Sequence, residues 1–239
     1  MYRIISYNIH SGVGTDKRHD YRRIGRFLAE QRADIVLLQE MDTRAPDREI
    51  ESDIRDICAD KVFELVPSPA LVEPSGWYGN ALLTRFPVIA QHTLDVSQQG
   101  VQPRNIQTVE LMTPQGPLTV INTHKGLTKK ERRSQFRKLH EYIASILATK
   151  PSPVILGGDF NEWQFFTRAF RHLDKVMQQH KVGATFPSVL PLFSLDRFWT
   201  SPDIRLTRIK KLRNRQTKIL SDHLPVQADI CLPLSLASD

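Results

Sequence analysis

Six places along the chain end or interrupt an apolar run with a residue able to act as acid, base or ligand. The densest is Gly157-Gly158-Asp159-Phe160-Asn161, which closes the run Val154-Ile155-Leu156. Residues two apart leave a strand on the same side, and a carboxylate beside an amide can orient and deprotonate a water for hydrolysis. The two glycines predict a sharp turn and a close approach of backbone to a ligand. Gly-Gly-Asp also makes ordinary turns, so the other strand ends decide the reading. Asn8 follows the run 3–7, Glu40 the run 34–39 and His124 the run 118–123. Asp196 lies inside 194–199, and Ser221-Asp222-His223 precedes the closing strand 224–230. Singly, each has a plain role: Asn8 satisfies a turn, Glu40 is a solvated acid, the histidines are polar turn residues and Asp222 a cap. Ligands gather outside strand ends in helix-covered sheets, so the set as a whole predicts one shared mouth.

Holding such a mouth takes strands backed by helices, and the pattern supplies both. Thr128 and Glu131 form a capping box that starts a helix, along which Phe136, Leu139, Tyr142, Ile143, Ile146 and Leu147 recur as a buried stripe. Residues 20–32 predict a second amphipathic helix through Tyr21, Ile24, Phe27 and Leu28. No linker, repeat or low-complexity tract divides the 239 residues, and the candidate residues run from Asn8 to His223. One α/β domain over 1–239, closing around both ends, is the expectation. Cys58 and Cys231 suggest neither a disulfide framework nor a zinc site. No stretch reaches the roughly 18 apolar residues of a transmembrane helix. The chain enters the Asn8 strand at once, which predicts no signal peptide and a cytoplasmic, monomeric enzyme unless a leader has been removed.

The ordered set Tyr-Asn-Ile-His (7–10), Leu-Gln-Glu (38–40), Gly-Asn-Ala-Leu-Leu-Thr-Arg (79–85), Asn-Thr-His (122–124), Gly-Gly-Asp-Phe-Asn (157–161), Leu-Asp-Arg-Phe (195–198) and Ser-Asp-His-Leu-Pro-Val (221–226) resembles the endonuclease/exonuclease/phosphatase superfamily over residues 4–230. The resemblance implies a four-layered α/β (α+β) sandwich, two stacked mixed sheets flanked by helices. It also implies a phosphoesterase dependent on Mg2+ or Mn2+, ions suited to hard oxygen ligands. By the same resemblance Glu40 is the principal metal ligand, with Asn8 and Asp222 near the same metal. Asp159 is the base that activates water, Asn161 holds the phosphate or that water, and His223 contacts phosphate with Asp196 as its partner. His124 takes the place of a second histidine. Water attacks phosphorus in line while metal and histidines neutralise the phosphoryl oxygens. Asn80 is a candidate phosphate neighbour, Arg104 a surface arginine within possible reach of phosphate, and His10 a candidate for the cleft wall.

Charge bears on the substrate. The net charge is +7, yet 125–138 hold seven Lys/Arg against one Glu and 205–218 hold seven against no acid. The remainder of the chain is therefore net negative. Lys129, Lys130, Arg132 and Arg133 stand at the positive end of a helix dipole, each unfavourable there by roughly 0.3–1 kcal/mol. A bound polyanion would offset that, and these four are candidate phosphate contacts; a solvated basic face is the plain alternative. The second window reads as a strand with basic and apolar faces that forms the other wall of the cleft.

A nuclease acting on nucleic acid is favoured. The alternative is a phosphodiesterase or phosphatase on a phospholipid head group, a phosphoinositide or a small nucleotide, with an anionic membrane as possible partner. A non-catalytic module is disfavoured by the intact residue set. No apolar hairpin like that of secreted sphingomyelinases is evident, and Trp77-Tyr78 is expected to pack beside the Gly79-Asn80 strand. Asp42 stands where repair-type members carry a lysine, which argues against an abasic-site endonuclease.

Overall fold

The computed structural model describes residues 1–45, 48–149, 152–164 and 168–233. The first sheet holds β1 (Tyr2–Asn8), β2 (Ile35–Asp42), β3 (Glu64–Glu73), β4 (Gly76–Thr84), β11 (Arg205–Lys211) and β12 (Val226–Cys231) in the order β11-β12-β1-β2-β4-β3. The second holds β5 (Val88–Asp95), β6 (Asn105–Thr113), β7 (Gly116–His124), β8 (Val154–Asp159), β9 (Gln178–His180) and β10 (Asp196–Thr200) in the order β5-β6-β7-β8-β10-β9. Helices α1 (Tyr21–Glu30) and α2 (Ile50–Ile57) back the first sheet, and α3 (Lys129–Thr149) backs the second. The expected four-layered sandwich is what forms.

Side-chain alternation shows why these apolar runs stack in layers. Ile4, Ile35, Leu37, Val120 and Ile155 meet between the sheets, together with Val226 and Phe198. Their neighbours Ile5, Val36 and Leu38 turn instead to α1, while Ile121, Val154 and Leu156 turn to α3. Strands buried on both faces read as continuous apolar runs. Asp20 caps α1 by accepting from the Arg23 N–H. The capping box at 128–131 forms in full, with Thr128 Oγ1 accepting from Glu131 N and Glu131 Oε2 from Thr128 N.

Register then brings the functional ends together. β1 and β2 run parallel, as do β7 and β8, so all four C-terminal ends lie at one edge. β12 runs antiparallel to β1 and β10 antiparallel to β8, which puts their N-terminal ends at that same edge. Asp196 is thereby paired directly with Asp159, and His124 lies in register with Asp159 from the other side.

The two glycines do not make the expected turn. Gly157 and Gly158 lie inside β8, where packing demands them. A Cβ on Gly157 would sit 2.6 Å from Leu37 and 2.7 Å from Phe198, and one on Gly158 (φ +147°) only 2.0 Å from the Thr123 carbonyl oxygen. They serve the close packing of strands and sheets, while the chain turns at Asn161 (φ 48°).

Candidate active site

Asp159 is the centre of the strand-end cluster. Its Oδ2 accepts from Asn8 Nδ2 at 3.0 Å and its Oδ1 from the Asn161 N–H at 2.9 Å. Burial pushes the carboxyl up to about 6; the nearby His223 opposes this and Asp196 adds to it. The carboxylate is thus ionised near neutrality and keeps basicity that an exposed one lacks.

His223 and Asp196 form a pair. Nδ1 of His223 lies 3.0 Å from Asp196 Oδ2, which also accepts from Thr185 Oγ1 at 2.6 Å. Burial works against a charged ring here, but the carboxylates of Asp196 and Asp159 outweigh it and raise His223 to about 10. Its Nε2 is 3.6 Å from Asp159 Oδ2, beyond hydrogen-bond length, which leaves that N–H for a substrate oxygen.

His124 faces Asp159 from the second sheet, also with Nε2 at 3.6 Å from Oδ2. Burial, Arg104 and His223 all hold its pKa well below the usual histidine range. Asn161 Nδ2 donates to the Lys125 carbonyl at 2.9 Å and lies 3.1 Å from His124 Nε2. With both amide hydrogens so used, a neutral His124 accepts at Nε2 and carries its proton on Nδ1. Among the described residues no donor meets Asn161 Oδ1, so Asn161 can accept from a water but has no hydrogen left for a phosphate oxygen.

Glu40 reaches the mouth through a backbone device. The β2–β4 register slips between Leu38 and Met41, and Glu40 adopts φ 59° there, so β2 continues past Glu40 to Asp42 and does not end at it. Such bulges re-aim a side chain. Glu40 Oε1 accepts from Asn8 Nδ2 at 3.0 Å, and its side chain remains 23% exposed. Asn8 thus ties Glu40 to Asp159, and its Oδ1 accepts from the His10 N–H. His10 stays partly exposed beside it, its Nδ1 against the Val13 carbonyl. Asp222 is also partly exposed and meets Ser221 Oγ at 3.3 Å.

Among the described residues, no three of His, Cys, Asp and Glu cluster tightly enough to cage a metal. A Mg2+ ion requires no cage, since it keeps several waters and takes one or two carboxylates. The accessible Glu40 carboxylate fits that demand, with Asp222 as a further oxygen donor, and Asn8 sets the direction of Glu40.

The remaining candidates divide. Asn80 is buried and donates to Asn105 Oδ1 and its carbonyl, while Asn105 holds the Ser68 and Pro69 carbonyls. Arg104 is not on the surface as expected: it is buried, packs over the Tyr78 ring and donates to Gln102. Asn80 and Arg104 line a small recess that reaches His124. Trp77 and Tyr78 belong to β4 as expected, with Tyr78 buried.

The first basic window is split. Lys125, counted in the sequence as free charge, is fully buried, its ammonium on the Gln135 carbonyl and above the Phe136 ring. Burial lowers it to about 7. Arg132 is buried as well, against the Leu127 carbonyl and 3.9 Å from Glu162. Lys129, Lys130 and Arg133 are exposed and, with Arg137 and Arg168, line a groove of about 1240 Å3 beside Glu162. In the second window the Arg205 end of β11 pairs with Cys231, far from His223, so only the segment from Lys211 onward reaches the site edge. No sequence signal separated Lys125 or Arg104 from surface cations; their burial follows from strand register.

A model described as "Endonuclease/Exonuclease/phosphatase family" matches residues 5–223. The chain is similar to the uncharacterized protein YbhP of Escherichia coli K12, 26% identical over 97% of this chain and 96% of that one. Among solved structures, an endonuclease/exonuclease/phosphatase from Beutenbergia cavernae matches 97% of this chain and 71% of its own at 19% identity and a TM-score of 0.78. A mannosyl-6-phosphatase from Bacteroides thetaiotaomicron matches 97% of this chain and all of its own (100%) at 18% identity, also with a TM-score of 0.78. At such identities the two structures speak for the fold.

Proposed function

Since the chain belongs to the endonuclease/exonuclease/phosphatase family, whose members are phosphoester hydrolases, we propose that it hydrolyses a phosphodiester by water attack, with Mg2+ or Mn2+ as cofactor. The observation that carries this reading is the placement of Asp159 between a charged histidine and a neutral one, each at 3.6 Å. Asp159 takes the proton of the attacking water, and Asn161 Oδ1 accepts that water's other hydrogen. The His223 imidazolium, held by Asp196, donates from Nε2 to the phosphoryl oxygen on which charge gathers. Glu40, aimed by Asn8 and joined by Asp222, would hold the divalent ion, which when bound supplies further charge neutralisation at the phosphoryl oxygens. His124 fixes Asn161.

Nucleic acid is the favoured substrate, supported by the exposed cations of the groove beside Glu162. A lipid head group is the second reading, favoured by exposed apolar residues at 189–192. EDTA should abolish hydrolysis of bis-p-nitrophenyl phosphate, and Mg2+ or Mn2+ should restore it. Full activity in Asp159→Ala would sink the proposal. A panel of DNA, RNA, phospholipid and inositol phosphate separates the substrates, with a steep loss of activity in salt marking nucleic acid.

A further inference from the structure

Eleven large apolar side chains are exposed among the described residues, and three of them crowd into one short loop: Val189 at 57%, Leu190 at 65% and Leu192 at 54% exposed. Scattered exposed apolar residues call for no explanation; a contiguous group does. This group is held outward by a firm base. Phe186 and Phe193 exchange backbone hydrogen bonds below it, and both rings pack on Trp163 with centroids 5.5 and 5.1 Å away. Pro187 and Pro191 restrict the loop further. Ile219, 43% exposed, stands on the neighbouring segment, which Ser188 Oγ joins through the Lys218 carbonyl.

Two cations contact the loop and its base. Arg213 donates to the Val189 carbonyl at 3.3 Å and Lys211 to the Ala184 carbonyl at 2.9 Å. Arg215 and Lys218 lie in the same acid-free stretch. Among the described residues, none of these four forms a salt bridge with a carboxylate. An apolar tip flanked by cations that, among the described residues, meet no carboxylate matches an anionic bilayer, where side chains enter the acyl boundary and Lys/Arg meet head groups. A nucleic-acid backbone would use the cations but leave the three aliphatic side chains in water.

The loop is also wired to the catalytic cluster. The Phe186 ring lies 4.8 Å from the His223 ring, Thr185 Oγ1 donates to Asp196, and Ser188 N donates to the Asp222 carbonyl. We propose that the 187–192 loop, with Lys211, Arg213 and the neighbouring basic stretch, docks the protein onto anionic lipid surfaces at the lip of the strand-end site, whichever phosphoester that site cleaves. This rests on the phosphoesterase reading only for its purpose; the docking itself stands apart from turnover.

The test is co-sedimentation of the intact protein with phosphatidylcholine vesicles, plain or doped with phosphatidylglycerol, in parallel with binding to a labelled DNA duplex. Doped vesicles should capture the wild type and plain ones should not. Leu190→Ser with Leu192→Ser should weaken capture on the order of ten-fold or more, as expected for apolar side chains withdrawn from a membrane. Arg213→Gln with Arg215→Gln should weaken it by roughly five-fold per cation, less at high salt. Hydrolysis of bis-p-nitrophenyl phosphate by the leucine double variant should equal that of the wild type, and unchanged thermal unfolding of both double variants shows that they fold. Absence of capture, or capture indifferent to both variants, overturns the proposal; so does a loss confined to DNA binding. Capture without any hydrolysis would leave docking standing and remove the catalytic reading instead.

Discussion

His124 and His223 come from opposite sheets, both buried and both 3.6 Å from Asp159, yet their surroundings push their pKa values in opposite directions. Burial alone would neutralise both. His223 escapes because Asp196 accepts from its Nδ1; His124 has Arg104 nearby and an amide donor at Nε2. The contrast teaches that in this site the immediate partner decides the proton, and that the two rings do different work around one carboxylate. In the proposed mechanism His223 supplies positive charge, while His124 supplies a lone pair.

That contrast can be broken from its centre outward. Asp159→Ala removes the group both rings face and should lower kcat by about 10³–10⁴-fold, at the upper range for a positioned base; a loss below ten-fold would assign the base elsewhere. Asp196→Asn should cost about a hundred-fold and, more tellingly, change the pH profile. Wild-type kcat/KM should rise through about 6 as Asp159 ionises and fall toward about 10 as His223 loses its proton. In Asp196→Asn the alkaline limb should move down toward the ordinary histidine value; an unmoved limb refutes the pairing argument. His124→Gln preserves an acceptor for Asn161 and should cost only about ten-fold, with the alkaline limb unchanged.

Lys125→Met should leave activity unaltered and speak through stability. His223 has a folded pKa of about 10 against 6.5 unfolded, so its contribution is complete below 6.5 and is lost as pH rises through about 10. Lys125 has a folded pKa of about 7 against 10.5, so its destabilising charge is present below 7 and relieved as pH rises toward 10.5. The two slopes oppose each other over nearly the same window. Thermal unfolding of Lys125→Met should therefore show a higher Tm than wild type in weak acid and a steeper decline into alkali. Equal Tm values at both ends would show that Lys125 is not a buried charge.

The layers, the capping box and the strand-end mouth were legible because each rests on local pattern: period-two alternation at Ile4-Ile5, Thr128 with Glu131, and apolar runs closed by polar residues. Gly157-Gly158 misled because a glycine inside a packed strand and one in a turn look alike in sequence; only Leu37, Phe198 and the Thr123 carbonyl tell them apart. Lys125 and Arg104 were illegible for a related reason. Their burial depends on tertiary partners that local pattern does not show, the Gln135 carbonyl and Phe136 ring of the next helix for Lys125 and the Tyr78 ring for Arg104. The apolar tip at 189–192 was missed because Val-Leu-Pro-Leu reads as a short core segment until its exposure is known.

One consequence follows from the two-sided burial of the central strands. A residue such as Ile35 or Val36 answers to a different layer from its neighbour, so nearly every substitution there disturbs a core. The tip of the loop at 187–192 is held more loosely, since Val189, Leu190 and Leu192 face solvent beside the candidate site. A change confined to the exposed side chains of 187–192 would leave both cores and the hydrogen bonds around Asp159 as they are, so what the proposed enzyme docks on can vary separately from the groups proposed to break the bond.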